Sequence, residues 1–544
     1  LRLSLLPTLT LLFVGLFTLA YFLLTHEGIY DFDDYTYARY AYQLVTGTYV
    51  PVLPPSHPDH IPLHNRLLVF GPVALFYWLG GVNGISTTLW PLLCTIGTTG
   101  LIYVAYRRQA PVAASVAMLL LGLHYFVLNL SNYLYPDNVQ LFFAMASAMA
   151  LLVGRRQGQT LVAFWGSGFA LFNFGALLSK ESIIYYLPFY LVVLVRDLWL
   201  RRHSRFWAAA ITVGAILLVA YGGYYYYFAG NAFYPFQVVE HTNERLKHHS
   251  YALGRPDLLA RLTWQPLVML VGTGLGIVSL LAGQAARQWR QPTQPEVRFW
   301  LALAVSSLAF YWLGSTSLTY YNPNSLLPRM LSPVLPPLCM AAGFGAEHYW
   351  QTGRGGAWLA GGIFACAAWL HNSLSVVYGV VGLFFMAATV LMLWPRRSKW
   401  LQPGSPSFAL CLVLALGLGL ALRPAYFMTK PSRSAHFAQQ RLLQQELRGP
   451  AGGVVFADHF LLRNYDFSYG FQVPAGLHFL PYAAHDTLAS VPGCPTWLLL
   501  NRATLTNDEL VPSIISYSAE QVLARFPHRT LVAQEGNVEL YRVD

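Results

Sequence analysis

The chain has 544 residues, of which 55% are hydrophobic and only 10% charged, against roughly 25% charged in an ordinary soluble domain. That deficit excludes a water-soluble globular protein, because a soluble surface must be covered with polar groups whatever the size of the core. The net charge of +11 does not mark a nucleic-acid binder, since the basic residues cluster in short loops between apolar runs, the pattern of positive-inside membrane topology.

Apolar runs of about 17–25 residues read as transmembrane spans. The first lies near 5–24; without an A-x-A cleavage site it reads as a retained span rather than a signal peptide. A polar, aromatic stretch follows over 25–66, then a short Gly-bounded apolar segment, 67–82, that suits a juxtamembrane or re-entrant helix. Further spans are expected near 86–106, 110–128, 138–153, 160–178, 183–195, 206–228, 266–284, 298–314, 331–348, 356–370, 374–394 and 407–423, about thirteen in all. Arg107 and Arg108, Arg155 and Arg156, Arg196 to Arg205, Arg287 to Arg298 and Arg396 to Lys399 then share one side, which the positive-inside rule makes cytoplasmic.

From about 424 the composition changes. Ser434 to Arg448 reads as an amphipathic helix, Val454–Ala457 and Trp497–Leu500 as buried strands, and Thr530–Gln534 with Val538–Tyr541 as a hairpin around Glu535-Gly536-Asn537. The expected fold is a polytopic α-helical membrane protein with a small extracytoplasmic α/β domain. The expected division is a transmembrane domain over 1–423, including an outer loop over 25–85, and an α/β domain over 424–544. Cys94, Cys339, Cys366 and Cys411 fall inside apolar runs and Cys494 stands alone, so neither a disulfide framework nor a zinc site is indicated.

The outer side collects the ionisable residues that could carry chemistry. Asp31, Asp33 and Asp34 sit just past the first span, and Tyr37, Tyr40, Ala41 and Leu44 share one face of an interfacial helix that Asp33 and Asp34 would begin. A carboxylate there can cap the helix or accept a proton from a sugar hydroxyl; three acids in a chain this poor in acid favour the second. Asp137, after Pro136, caps a helix or orients a substrate. Lys180 and Glu181 form either a local ion pair or part of a site, and Arg329 either snorkels or binds an anion. Tyr224 to Tyr227 suit an aromatic belt, whereas Tyr320 and Tyr321 are candidate substrate contacts. His57, Asp59, His60 and His64 could hold zinc, but His-rich loops are common by chance, and no metal is assigned.

Asp33-Asp34-x-x-Tyr37, followed by an Ala-containing helix and Gly47, resembles the Asp-Glu-x-x-Tyr motif in the first outer loop of GT-C glycosyltransferases, closest to the protein mannosyltransferase and aminoarabinose lipid A transferase branch. The segment Pro62 to Gly81, Tyr135-Pro136-Asp137, Ser179-Lys180-Glu181-Ser182 and Leu327-Pro328-Arg329-Met330-Leu331-Ser332-Pro333 resemble that branch's further motifs in the same order. Asp34 stands where Glu is usual, and Met330 where Tyr is usual. The resemblance spans the topology of nearly the whole chain. It implies a glycosyltransferase of a bacterial inner (plasma) membrane, active on the extracytoplasmic side and without a cofactor. Its donor would be a polyprenyl-phosphate-linked sugar, its acceptor a lipid, glycan or protein, and its outcome inversion at the sugar. Asp33 or Asp34 would activate the acceptor and Lys180 or Arg329 would hold the donor phosphate, with Tyr37, Asp137, Glu181, Tyr320 and Tyr321 contacting substrate. The rival from another class is a transporter or flippase of a lipid-linked saccharide, which would favour charged or broken helices near the bilayer midplane; here the ionisable residues gather at one face.

Overall fold

The computed structural model describes residues 3–29, 32–57, 60–156, 160–247, 257–289, 295–393, 402–430, 434–447, 452–486, 495–506 and 517–543. The first span is α1 (Leu6–Thr25), followed by the interfacial α2 (Phe32–Thr46), α3 (Leu67–Gly80) and α4 (Gly84–Tyr106). Next come α5 (Pro111–Gly122), the short α6 (Tyr125–Leu130), α7 (Pro136–Gly154), α8 (Val162–Ser179), α9 (Leu187–Trp199) and α10 (Ser204–Ala229). α11 (Tyr234–Arg245), α12 (Leu258–Thr263), α13 (Gln265–Gly272) and α14 (Leu275–Ala286) lead to α15 (Pro295–Leu313). The bundle finishes with α16 (Leu335–Thr352), α17 (Gly356–Trp369), α18 (Leu374–Leu393) and α19 (Pro406–Met428).

Among the described residues nine helical segments are long and apolar enough to cross a membrane, ten if the bent pair α13–α14 is one span; α3, α5 and α17 are apolar but shorter. Their outward faces are lipid-like: Leu414, Leu418 and Leu422 of α19 form an exposed stripe four residues apart. The helices around α16 are buried instead, with Leu335 to Ala346 inaccessible.

Three details differ from the spans read off the sequence. The run 266–284 is not one straight helix: α13 and α14 meet at 103°, where Gly274 adopts a left-handed φ of +92° that few other residues tolerate. The run 110–128 divides at His124 into α5 and α6. The run 331–348 is entered through a 3₁₀ turn, Pro328–Leu331, because Pro328, Pro333, Pro336 and Pro337 fix φ and withdraw backbone donors before α16 can propagate. Segment 67–82 is α3, and both its ends lie at one face. Arg66 at its start reaches Glu181, while Gly84, just beyond its end, packs against Phe437 of the C-terminal region.

That C-terminal region begins with α20 (His436–Glu446) and carries β1 (Gly453–Ala457), β2 (Leu477–Pro481), β3 (Thr496–Asn501), α21 (Arg502–Leu505), α22 (Ala519–Arg525), β4 (Arg529–Glu535) and β5 (Val538–Val543). The strand order is β2-β1-β3-β5-β4. β1 runs parallel to β2 and β3, and β5 is antiparallel to β3 and β4. The expected strands are thus present, with β2 added at an edge; Cys494 lies outside the described residues. The segment after β1 packs Phe467 into one apolar cluster with Tyr37, Ala41 and Phe70 of α2 and α3.

Candidate active site

Four chain segments far apart in sequence deliver charged groups to the helix ends beneath the C-terminal region. α2 starts with Asp33 and Asp34 in its first turn. α7 starts with Pro136, whose missing N–H costs nothing in the first turn, and so sets Asp137 where the helix dipole favours a carboxylate. α8 stops because Lys180 turns extended, at φ −165° and ψ 137°. The prolines before α16 hold Arg329 in a 3₁₀ turn.

These groups pair across the segments. Arg329 Nη1 donates to Asp33 Oδ2 at 3.0 Å, and the pair is partly open, with side chains 31% and 24% exposed. Lys180 Nζ donates to Asp137 Oδ1 at 2.6 Å, and this pair is buried, at 8% and 1%. Arg66 Nη2 donates to Glu181 Oε2 at 2.8 Å and its Nη1 to the Tyr37 hydroxyl at 3.0 Å. Ser332 Oγ lies 3.4 Å from Asp137 Oδ1, and Met330 Sδ 3.2 Å from Lys180 Nζ. The Arg329 guanidinium stands 4.9 Å from the centre of the Tyr135 ring, a cation–π distance. Burial pulls the Arg329 pKa down, but the carboxylates of Asp137 and Asp33 outweigh it and hold the guanidinium above its ordinary value. The Asp137 Oδ2 oxygen is buried without a hydrogen-bond partner, an acceptor left open beside two cations.

The structure therefore brings Asp33, Asp137, Lys180 and Arg329 into one group, with Tyr37 and Glu181 joined to it through Arg66. Asp34 does not share the Asp33–Arg329 pair: it is 1% exposed and its Oδ1 accepts the Tyr35 backbone N–H at 2.7 Å. Tyr320 and Tyr321 are engaged elsewhere. The Tyr320 hydroxyl donates to the Asn243 carbonyl at 2.9 Å and that of Tyr321 to the Leu313 carbonyl at 3.0 Å. Their loop is pinned by Glu240, whose carboxylate accepts from the Ser317 and Thr319 hydroxyls. Arg66 was not singled out from the sequence, and Tyr135 and Ser332 were quoted only as parts of motifs. The available signal for Arg66 was a cation placed directly before an apolar run, at the end of an outer loop rich in acids.

Among the described residues no group of three or more His, Cys, Asp or Glu has metal-binding geometry. His60 and His241 rings lie 5.3 Å apart, His64 is buried between Tyr40 and Tyr49, and Asp31 and Asp59 lie outside the described residues.

No protein-family model and no curated protein matches the sequence. Solved structures do. ArnT from Cupriavidus metallidurans bound to undecaprenyl phosphate superposes with a TM-score of 0.58 at 17% identity, over 98% of this chain and 97% of that one. The apo state of the same protein gives 0.56 at 16%, over 98% and 97%. A weaker likeness, 0.49 at 9% over 96% and 72%, is to the oligosaccharyltransferase of Archaeoglobus fulgidus. The superposition on ArnT, which takes in nearly all of both chains, shows that this integral membrane protein shares that fold: a polytopic helical bundle with a small C-terminal sheet domain.

Proposed function

We propose that the protein is a membrane glycosyltransferase that moves a sugar from a polyprenyl-phosphate donor to a lipid, glycan or protein acceptor at the outer face of a bacterial inner (plasma) membrane. The observation that carries this reading is the convergence of Asp33–Arg329 and Asp137–Lys180 at one membrane face. The fold shared with a protein solved in complex with undecaprenyl phosphate supports the choice of donor. The outer side is supported by Arg107, Arg108, Arg155, Arg156, Arg196, Arg201, Arg202 and Arg205, which cluster in the loops assigned to the cytoplasmic side. The transmembrane domain would end near 423 and the α/β domain occupy 424–544.

The charges suit an exchange of partners. As paired, the group has no spare cation for a phosphodiester. A donor phosphate entering between Lys180 and Arg329 competes with Asp33 for the Arg329 guanidinium and leaves the Asp33 carboxylate free to accept a proton. The acceptor oxygen then attacks the anomeric carbon, the carbon–oxygen bond to phosphate breaks, and both bonding electrons leave with the polyprenyl phosphate. The acceptor's proton passes to Asp33. The cations stabilise the charge that grows on the leaving phosphate, and attack opposite the leaving group inverts the anomeric centre. Burial lowers the Lys180 pKa; Asp137 opposes that and holds the ammonium in place, and its open Oδ2 is available to a substrate hydroxyl.

The test is transfer of label from radiolabelled polyprenyl-phosphate sugars to membrane extract by the purified protein. Wild type should label an acceptor and Asp33→Asn should not. Label crossing a vesicle bilayer intact, with no acceptor labelled, would establish the flippase instead.

A further inference from the structure

The C-terminal domain makes one polar contact of particular consequence with the membrane part. The Tyr35 hydroxyl, two residues after Asp33, donates to Asp466 Oδ2 at 2.9 Å across 431 residues of chain. Asp466 opens the 3₁₀ turn Tyr465–Tyr469 that follows β1. The same turn sends Phe467, fully buried, into the cluster of Tyr37, Ala41 and Phe70. It also brings Phe471 to 6.0 Å from the Tyr35 ring and 5.0 Å from the Tyr42 ring. Gln472 Nε2 lies 3.4 Å from the Tyr42 hydroxyl. Tyr35 and Tyr42 are seven residues, two turns, apart on α2, so the segment grips one face of that helix along its length.

The grip carries strain of its own. Phe471 has φ +62°, a left-handed conformation unfavourable for a bulky side chain, held by its N–H bonding the Asp466 carbonyl at 2.8 Å. Such a conformation persists where its surroundings over-determine it. Asp466 is also partly withdrawn from water: burial raises its carboxyl pKa, against the Tyr35 hydrogen bond and the nearby Arg39 charge, which lower it. A strained backbone and a desolvated carboxylate at the same contact are costs that a mere tether between domains does not require.

We propose that Asp466 and Phe471 of the α/β domain are positioning residues for α2, fixing the start of that helix so that Asp33 meets Arg329 and the incoming acceptor. The domain thereby completes the active site without touching substrate. α1 ends at Thr25, and the chain turns at Gly28, φ +77°, four residues before α2 begins. Tyr35 held from outside fixes the first turn of α2. A displacement of about 1 Å at a reacting group is enough to cost about 100-fold in rate.

This inference rests on the proposed role of Asp33, and the experiment separates the two. Transfer from a radiolabelled polyprenyl-phosphate sugar is measured in detergent for wild type, Asp33→Asn, Tyr35→Phe, Asp466→Ala, Asp466→Asn and the double variant Tyr35→Phe/Asp466→Ala. Tyr35→Phe removes one oxygen outside the α/β domain, so it tests the contact without risk to that domain's folding. We expect kcat to fall roughly 10-fold or more in Tyr35→Phe and Asp466→Ala with KM for the donor unchanged. Asp466→Asn, which keeps an acceptor oxygen, should restore most of it, and the double variant should be no worse than either single one. Unchanged kcat in Tyr35→Phe, with Asp33→Asn inactive, overturns the positioning role and leaves the transferase reading intact. A loss confined to KM, or additive losses in the double variant, overturns it too. Full activity in Asp33→Asn removes both.

Discussion

The two ion pairs at the site look alike on paper and differ in what surrounds them. Asp33–Arg329 is partly open, so its members can trade partners with a substrate at small cost. Asp137–Lys180 is buried, and breaking a buried pair by removing one partner strands the other charge, at about 3–5 kcal/mol, whereas replacing both with apolar groups is far milder. Asp33→Asn should therefore lower transfer by about 100-fold or more, the usual worth of a positioned proton acceptor, while leaving the thermal melting temperature in detergent unchanged. Asp137→Ala should lower both, and the double change Asp137→Leu/Lys180→Met should recover melting temperature but not activity; equal melting of all three would show that the pair is not desolvated. Sequence alone singled out these four residues as chemistry-bearing. It left the pairing open, and in particular set Lys180 beside Glu181, its chain neighbour, where the fold gives it Asp137 and gives Glu181 to Arg66. Adjacency in sequence is a poor guide at a helix end, because Lys180 is extended and its neighbours point apart.

At the scale of helices, the bundle is held by close backbone approach where small residues face each other, the usual device in a medium that offers no hydrophobic drive between helices. A Cβ on Gly345 of α16 would meet the Leu281 carbonyl oxygen of α14 at 1.8 Å, and one on Gly343 would meet the Ala113 carbonyl oxygen of α5 at 2.4 Å. Gly345→Ala must push α14 off α16 and should cost about 2 kcal/mol or more, read as a lower melting temperature; Gly361→Ala, with nothing within 4 Å, is the neutral control. α16 also continues from Arg329, so the displaced helix should lose transfer activity as well. Apolar runs made most spans legible in the sequence, since length and hydropathy suffice for that. The break at Gly274 was not, because one glycine in an apolar run is ordinary in membrane helices. Strand β2 was missed for a related reason: Leu477–Pro481 is short, ends in proline and lies at an edge, where strand patterning is weakest.

The whole molecule depends on how the α/β domain seats on the bundle, and two histidines lie at that seat. His26, just past α1, accepts the Gly28 N–H at Nδ1, 2.8 Å, so its proton is on Nε2, 2.7 Å from the Thr88 hydroxyl and 3.3 Å from the Gly84 carbonyl. His436, first residue of α20, packs its ring over Gly28, where a Cβ would meet it at 2.3 Å. Burial pushes both imidazoles down to about 4; the Gly84 hydrogen bond opposes this for His26, and the neighbouring His26 charge reinforces it for His436. In the unfolded chain each titrates near 6.5, so between about pH 6.5 and 4 the unfolded state binds more protons than the folded one. Stability then falls as pH drops through that window, by about 2 kcal/mol per histidine at pH 5. The melting temperature should accordingly drop between pH 7.5 and 5, and His436→Gln, which cannot be protonated, should reduce that drop by about half while costing some stability at pH 7.5. Asp466 at the neighbouring α2 contact does not mimic this, since a carboxylate whose pKa burial raises stabilises the folded state on acidification. A His436→Gln profile parallel to wild type would place the acid sensitivity outside the seat. A flattened one would mean that acid loosens the same junction that aligns α2, and the transfer rate should then decline over the same pH range as the melting temperature.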